Sequence, residues 1–319
     1  MQETESGRGS PVHPDATGAI LVTGASGYIG GRLAQRFADG GVDVRVAGRD
    51  PERLTDRWPG VDAVELDVMR PDTICPATEG VTTAYYLIHS MEEGSSPFEE
   101  RDRTAATNFA REAARSGVER IVFLGGLGDD EDPDLSPHLS SRHETGRLLA
   151  EHGPAVLELR AGMVIGAGSA SFRMLEDLVR RLPVMVTPRW VDTRSQPIAI
   201  DDVVAYLDAA REVTLDEPHT IVEIGGADVL SYRQMMRRLG ESRGRVPRIL
   251  PVPVLTPWLS SLWCGLVTSV PPSVAGPLIE GQRNETIVRD DTAAQLFPDI
   301  HPVDFDEAVK RTRSEAAAA

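Results

Sequence analysis

Three glycines at equal intervals, Gly24, Gly27 and Gly30, are the first residues in this chain whose spacing implies chemistry. They fall in the stretch Ala19 to Gly30, which reads A-I-L-V-T-G-A-S-G-Y-I-G. An apolar β-branched run precedes them, and Leu33, Ala34 and Phe37 follow at helical spacing. A strand, a tight glycine turn and a helix in that order form a dinucleotide cradle. One glycine permits the turn, one lets the backbone approach the pyrophosphate, and one lets the helix pack closely on the strand. The helix start then offers free N–H groups and partial positive charge to phosphate. Ser26, Tyr28 and Ile29, set among the glycines, are assigned to the same cofactor contact.

A second group of residues bears on which cofactor is held. An NAD-preferring site places an acid at the end of the second strand, against the ribose hydroxyls. Here that strand closes Val46-Ala47-Gly48-Arg49-Asp50, with Arg53 shortly after. The position carries no acid and is followed by an arginine, whose guanidinium suits the 2′-phosphate of NADP. NADP is therefore expected, with NAD as the alternative. Asp67 and Val68, past the third strand, are placed to reach the adenine, although an aspartate there also serves as a simple helix cap. Ile88 and His89 end the fourth strand, and strand C-termini face the crevice in such sheets. An imidazole near a nicotinamide is able to move a proton near neutral pH; a hydrogen-bonded structural histidine is the plainer reading.

The elements needed to position these residues are legible as alternating strand-like and helix-like segments from Ala19 to about Gly226. Strands are expected at Val42 to Ala47, Asp62 to Leu66, Thr82 to Ile88, Val118 to Leu124, read as a wholly apolar fifth strand, and Ala155 to Leu159, the sixth. Long helices are expected at Phe98 to Ser116 and Pro137 to His152, and a further strand at Thr220 to Ile224. Such alternation predicts an α/β fold, a Rossmann-type doubly wound parallel sheet. Beyond Gly226 helical segments linked by proline-rich turns dominate, at Tyr232 to Glu241, Trp258 to Thr268, Ser273 to Gln282 and Phe305 to Arg313. The expected organisation is a disordered tail at 1–18 and a dinucleotide-binding domain at 19–166 and 195–226. A smaller, mainly helical substrate or lid region is expected at 167–194 and 227–315.

Composition narrows the partners. The formal net charge of −16 argues against nucleic acid and anionic membrane. No apolar run reaches the roughly 18 to 20 residues needed to span a bilayer. The two cysteines, Cys75 and Cys264, lie far apart without metal-type spacing, so neither a disulfide framework nor a zinc site is expected. A cytoplasmic setting and a monomer or homodimer fit. Lys310 is the only lysine. Met91, Phe172, Met174, Trp190, Trp258 and Trp263 follow strand ends or lie in the lid region. If they converge, they form an apolar pocket for a small-molecule substrate. Trp258 to Val270 has a second reading as an interaction surface. Gly166-Ala167-Gly168-Ser169 reads as a hinge, with Ser169 and Ser171 as phosphate or substrate contacts.

Four motifs in order carry a family likeness: T-G-A-S-G-Y-I-G, the Gly48-Arg49 strand end, Leu159-Arg160-Ala161-Gly162, and Q-P-I-A-I-D-D-V from Gln196 to Val203. Together they resemble the atypical and extended short-chain dehydrogenases/reductases, particularly the NmrA-like NAD(P)-binding proteins. Active members of that family use a Tyr-x-x-x-Lys pair on the helix after the fifth strand, and a Ser at that strand's end. In the matching positions this chain has His138, Arg142 and Gly125, so the whole catalytic set is altered. The resemblance implies an NADP(H)-dependent oxidoreductase in which His138 replaces the tyrosine and Arg142 still holds the nicotinamide ribose. Its alternatives are a non-catalytic NADP(H)-binding redox sensor or assembly protein of the NmrA-like type and, third, an epimerase or dehydratase.

Overall fold

In the first strand, alternate residues face opposite ways, and the central three, Ile20, Leu21 and Val22, are all apolar. In the computed structural model, which describes residues 18–89, 98–187, 189–251 and 269–318, Ile20 and Val22 enter one buried cluster and Leu21 enters another. A strand buried on both faces is what a parallel sheet between two helical layers demands.

The chain runs β1 (Ala19–Thr23), α1 (Tyr28–Asp39), β2 (Val44–Gly48), α2 (Pro51–Arg57), β3 (Asp62–Glu65), α3 (Pro71–Thr78), β4 (Val81–Tyr86) and α4 (Phe98–Arg115). It continues through β5 (Arg120–Gly126), α5 (Pro137–His152) and β6 (Ala155–Ala161). Short β7 (Val164–Ile165), α6 (Ala170–Arg181), β8 (Val184–Thr187), β9 (Arg194–Ser195), β10 (Ile198–Ala199) and α7 (Ile200–Ala209) then lead to β11 (His219–Ile224). Last come β12 (Leu230–Ser231), α8 (Tyr232–Ser242), β13 (Arg248–Pro251), α9 (Pro272–Gly281), α10 (Thr292–Leu296) and α11 (Phe305–Ala318).

Seven strands form one sheet in the order β11-β6-β5-β4-β1-β2-β3, and every pairing is parallel. On one face, Leu33 and Phe37 of α1 pack with Val203 and Leu207 of α7. On the other, Ile74 of α3, Ala106 and Phe109 of α4 and Leu149 of α5 fill the second layer. This is the Rossmann-type doubly wound architecture. The strand order reverses between β1 and β4, so the loops leaving those strands flank the crevice where such sheets bind ligands.

The fifth strand is not wholly apolar. It opens with Arg120, only 1% exposed, whose Nη1 donates to the carbonyls of Ala210 at 3.0 Å and Arg211 at 3.2 Å. The buried guanidinium is tolerated because it meets backbone acceptors at the end of α7.

Past the sheet, α6, α8 and α11 converge on a separate cluster that includes Phe172, Met185, Met235, Leu239 and Phe305. A smaller cluster joins Met174 of α6 to Val274 and Ile279 of α9. Apart from Gly18, the expected tail lies outside the described residues, as does nearly all of the Trp258 to Val270 segment. No helix among the described residues is long and apolar enough to cross a membrane.

Candidate functional site

Gly24 leaves β1 with φ +64, a left-handed conformation that only glycine adopts without strain. A Cβ there would stand 2.5 Å from the carbonyl oxygen of Leu87, which leaves β4, and one on Gly30 would stand 2.4 Å from Gly24 O. These two glycines therefore let the β1 and β4 loops and the first turn of α1 press together. Gly27 caps α1, accepting from Gly31 N at 3.0 Å, while its own N–H donates to Gly24 O at 2.9 Å. No side chain caps α1 and no acid occupies its first turn, so its N–H groups and positive dipole end are left for an anion. Close backbone approach and an uncapped helix start fit a pyrophosphate.

The loop opens into a cavity of about 460 Å³. Its walls take in Gly24, Gly27, Tyr28, Ile29 and Gly30 on one side and His89, His138 and Arg142 on the other. Ser169 and Ser171 also border it, hydrogen-bonded to each other at 3.1 Å, with Ser169 capping α6 through Phe172 N at 3.4 Å. The apolar lining differs from expectation. Phe172 and Met174 are 0% and 2% exposed and belong to the packed clusters behind the wall. Met91, Trp258, Trp263 and the side chain of Trp190 lie outside the described residues. Ile29, Leu87, Leu124, Val164, Val274 and Leu278 supply the apolar surface instead.

Two imidazoles stand together in the cavity wall, His89 after β4 and His138 in the first turn of α5, with ring centroids 5.2 Å apart. His89 Nδ1 is 3.1 Å from Oδ2 of Asp102, a buried carboxylate on α4, which also accepts from Ser141 Oγ at 3.4 Å. His89 Nε2 and His138 Nδ1 are both buried and have no hydrogen-bond partner among the described residues. Burial, then the Arg142 guanidinium, holds His89 below the ordinary imidazole value, and Asp102 opposes both. Burial, His89 and Arg142 together bring His138 down to about 3, so it is neutral across the physiological range.

Arg142 occupies the place of the family's lysine, but its guanidinium is directed to the main chain. Nη2 donates to Leu124 O at 2.6 Å, Nη1 reaches Ile88 O at 3.5 Å, and the group lies 4.7 Å from the centroid of the Phe123 ring. It ties the ends of β4 and β5 together beneath the cavity. Gly125, in the place of the serine, also has a packing reason: a Cβ there would meet Glu158 Oε1 at 2.7 Å. Glu158 is fully buried on β6, held by Arg160 Nε at 2.7 Å and His219 Nε2 at 2.8 Å.

The other cofactor candidates lie outside this cavity. Arg49 and Ser26 are exposed, Arg49 at the end of β2 and Ser26 in the β1–α1 turn. Asp67 takes the capping role, its Oδ1 accepting from Met69 N at 2.9 Å, and Val68 O accepts from Asn108 Nδ2 at 2.9 Å. Ile88 is met by Arg142 as above. Lys310 pairs with Glu307 on α11. Three residues were not foreseen from sequence: Asp102, Ser141 and Arg57. Arg57 Nη1 lies 3.4 Å from Ala25 O, its guanidinium over the Trp58 ring at 4.3 Å, which brings a second cation to the glycine turn. Asp102 sits in the run Glu99-Glu100-Arg101-Asp102-Arg103, where nothing marks one acid as buried.

A parallel doubly wound sheet with a glycine-lined crevice at its switch point defines a dinucleotide-binding α/β protein. Residues 24–162 match a family described as NAD(P)H-binding, and the chain carries that NAD(P)H-binding domain. Ceramide reductase of Caulobacter vibrioides is 26% identical over 270 residues, 82% of this chain and 83% of that protein. In fold the chain is similar to solved epimerases and reductases. A nucleoside-diphosphate-sugar epimerase from Staphylococcus aureus superposes with a TM-score of 0.73 at 19% identity, over 92% of this chain and 100% of that one. Triphenylmethane reductase from Citrobacter, solved with NADP(H), gives 0.70 at 15% identity, over 92% and 99%.

Proposed function

We propose that this protein is an NADP(H)-dependent oxidoreductase acting on a small, largely apolar carbonyl or alkene. The observation that carries the reading is the single cavity lined both by the phosphate-loop glycines and by His89 and His138. A nicotinamide bound there supplies or accepts the hydride. The chain's own residues bind, orient and handle the proton. The α1 N-terminus faces the pyrophosphate, and Ile29, Leu87, Val274 and Leu278 keep the reacting end apolar. Unpartnered imidazole nitrogens offer hydrogen bonds to a substrate oxygen. Arg49 after β2 and Arg57 at the glycine turn support a preference for the 2′-phosphate, since guanidinium pairs bidentately with phosphate. The name of the ceramide reductase relative favours reduction as the working direction. A cytoplasmic setting, expected from the sparse cysteines, belongs to the same reading.

Titration with NADPH and NADH, followed by a panel of carbonyls and activated alkenes monitored by NADPH oxidation, tests it. NADPH is expected to bind at least about tenfold tighter, a difference of about 1.4 kcal/mol. NADH binding tighter than NADPH removes the arginine assignment. Tight NADPH binding with no oxidation by any acceptor overturns the enzyme reading in favour of a sensor.

A further inference from the structure

We propose that His89 moves the proton in this reaction and that Asp102 is its positioning residue, with His138 serving as a neutral hydrogen-bonding partner to the substrate oxygen. The proposal rests on the oxidoreductase reading for its chemistry, and on the packing of three elements for its geometry.

Correspondence with the family points to His138, since it stands where the tyrosine stands. The surroundings point to its neighbour. His89 leaves β4 at the switch point, beside the glycine turn, and its Nδ1 is fixed at 3.1 Å from Asp102 Oδ2. A carboxylate only accepts, so Nδ1 carries hydrogen in either protonation state. The opposite nitrogen, Nε2, is thereby left to gain and lose the proton. That nitrogen is buried and has no partner among the described residues, on a residue that lines the cavity. A buried polar atom without a partner costs about 1–3 kcal/mol, a cost that a bound substrate oxygen would relieve. Asp102 is itself held: its side chain is 5% exposed, and Ser141 donates to the same oxygen at 3.4 Å. A ring pinned at one nitrogen by a fixed carboxylate has one tautomer and one orientation, the requirement for efficient proton transfer.

Among the described residues His138 has no such partner. Its Nδ1 is also unpaired, and at about 3 its pKa keeps it uncharged at neutral pH. A neutral imidazole 5.2 Å from His89 is suited to hydrogen-bond the oxygen that His89 protonates, and unsuited to deliver the proton itself. Among the described residues, the charged and titratable groups around His89 are Asp102 from α4 and Arg142 and His138 from α5.

In the reducing direction the carbonyl carbon takes hydride from the reduced nicotinamide, and the C=O π electrons move to oxygen. The O–H bond forms as the His89 Nε2–H bond breaks, giving an alcohol, the oxidised cofactor and a neutral imidazole. Solvent protons then restore His89 through the open cavity. Oxidation of an alcohol runs these steps in reverse, with Nε2 as base.

The test combines a histidine NMR titration of the cofactor-free protein with pH–rate profiles, for wild type, Asp102→Asn, His89→Gln and His138→Asn. The expected results are a wild-type His89 in the Nδ1–H tautomer and an Asp102→Asn variant whose His89 titrates at lower pH. The reduction profile of that variant shifts the same way, with kcat down by about 10²-fold or more and NADPH affinity unchanged. His89→Gln loses a similar factor and its pH limb disappears. His138→Asn keeps the limb. Wild-type turnover in His89→Gln, or an unmoved His89 titration in Asp102→Asn, overturns the proposal. Should wild type reduce no acceptor at all, the oxidoreductase reading fails, while the titration still decides whether Asp102 governs His89.

Discussion

A β-carbon at Gly125 would stand 2.7 Å from a carboxylate oxygen of Glu158, and Glu158 has no room to yield between Arg160 and His219. Restoring the family's serine by Gly125→Ser is therefore expected to lower stability by about 1–3 kcal/mol, measured by urea unfolding, and not to raise turnover. His138 makes a second prediction at this scale. Its folded pKa of about 3 lies below the ordinary 6.5, so the unfolded chain binds more protons between those values. Stability from this residue is full above pH 6.5 and is lost as pH falls toward 3. Urea unfolding from pH 4 to 7 should show stability rising with pH. The slope in His138→Asn should be shallower by up to about 1.4 kcal/mol per pH unit. An identical slope would show that His138 is not held neutral.

Helix α5 does more than carry residues in the places of the tyrosine and lysine. It clamps the strand ends through Arg142 and supports Asp102 through Ser141. Arg142→Met leaves the carbonyls of Leu124 and Ile88 without this donor and should cost about 1–3 kcal/mol for each one left unsatisfied. It also removes a cation that lowers His89, so the His89 titration and the reduction limb should move to higher pH. A limb unmoved in this variant would separate Arg142 from the site's electrostatics. The elements themselves were largely legible in the sequence. Runs such as Ile20–Val22 and Ile121–Phe123 are buried on both faces, which leaves little room for another reading. The glycine turn was legible because its conformation excludes other residues. The His89–Asp102 pair was not, because its two partners are joined only by folding. The apolar pocket was misplaced because Phe172 and Met174 are as apolar in a packed core as in a wall.

At the scale of the molecule, cofactor binding and folding are one linked equilibrium. A ligand at about 100 times its Kd adds about 2.7 kcal/mol to stability. NADPH should therefore raise the midpoint of thermal unfolding more than NADH does at equal concentration, and Gly24→Ala should abolish the rise. The first sheet cluster, through Leu87, Leu124 and Val164, and the α6–α9 cluster, through Val274 and Leu278, both border the crevice to which the reaction is assigned. Hydride transfer in this crevice is read out by isotope transfer. Wild-type protein is incubated with NADPH deuterated at either face of C4 and an aliphatic or aryl ketone, and the alcohol is weighed by mass spectrometry. Deuterium is expected on the carbinol carbon from one face only. NADPH bound tightly, with no labelled alcohol from either face, would contradict it.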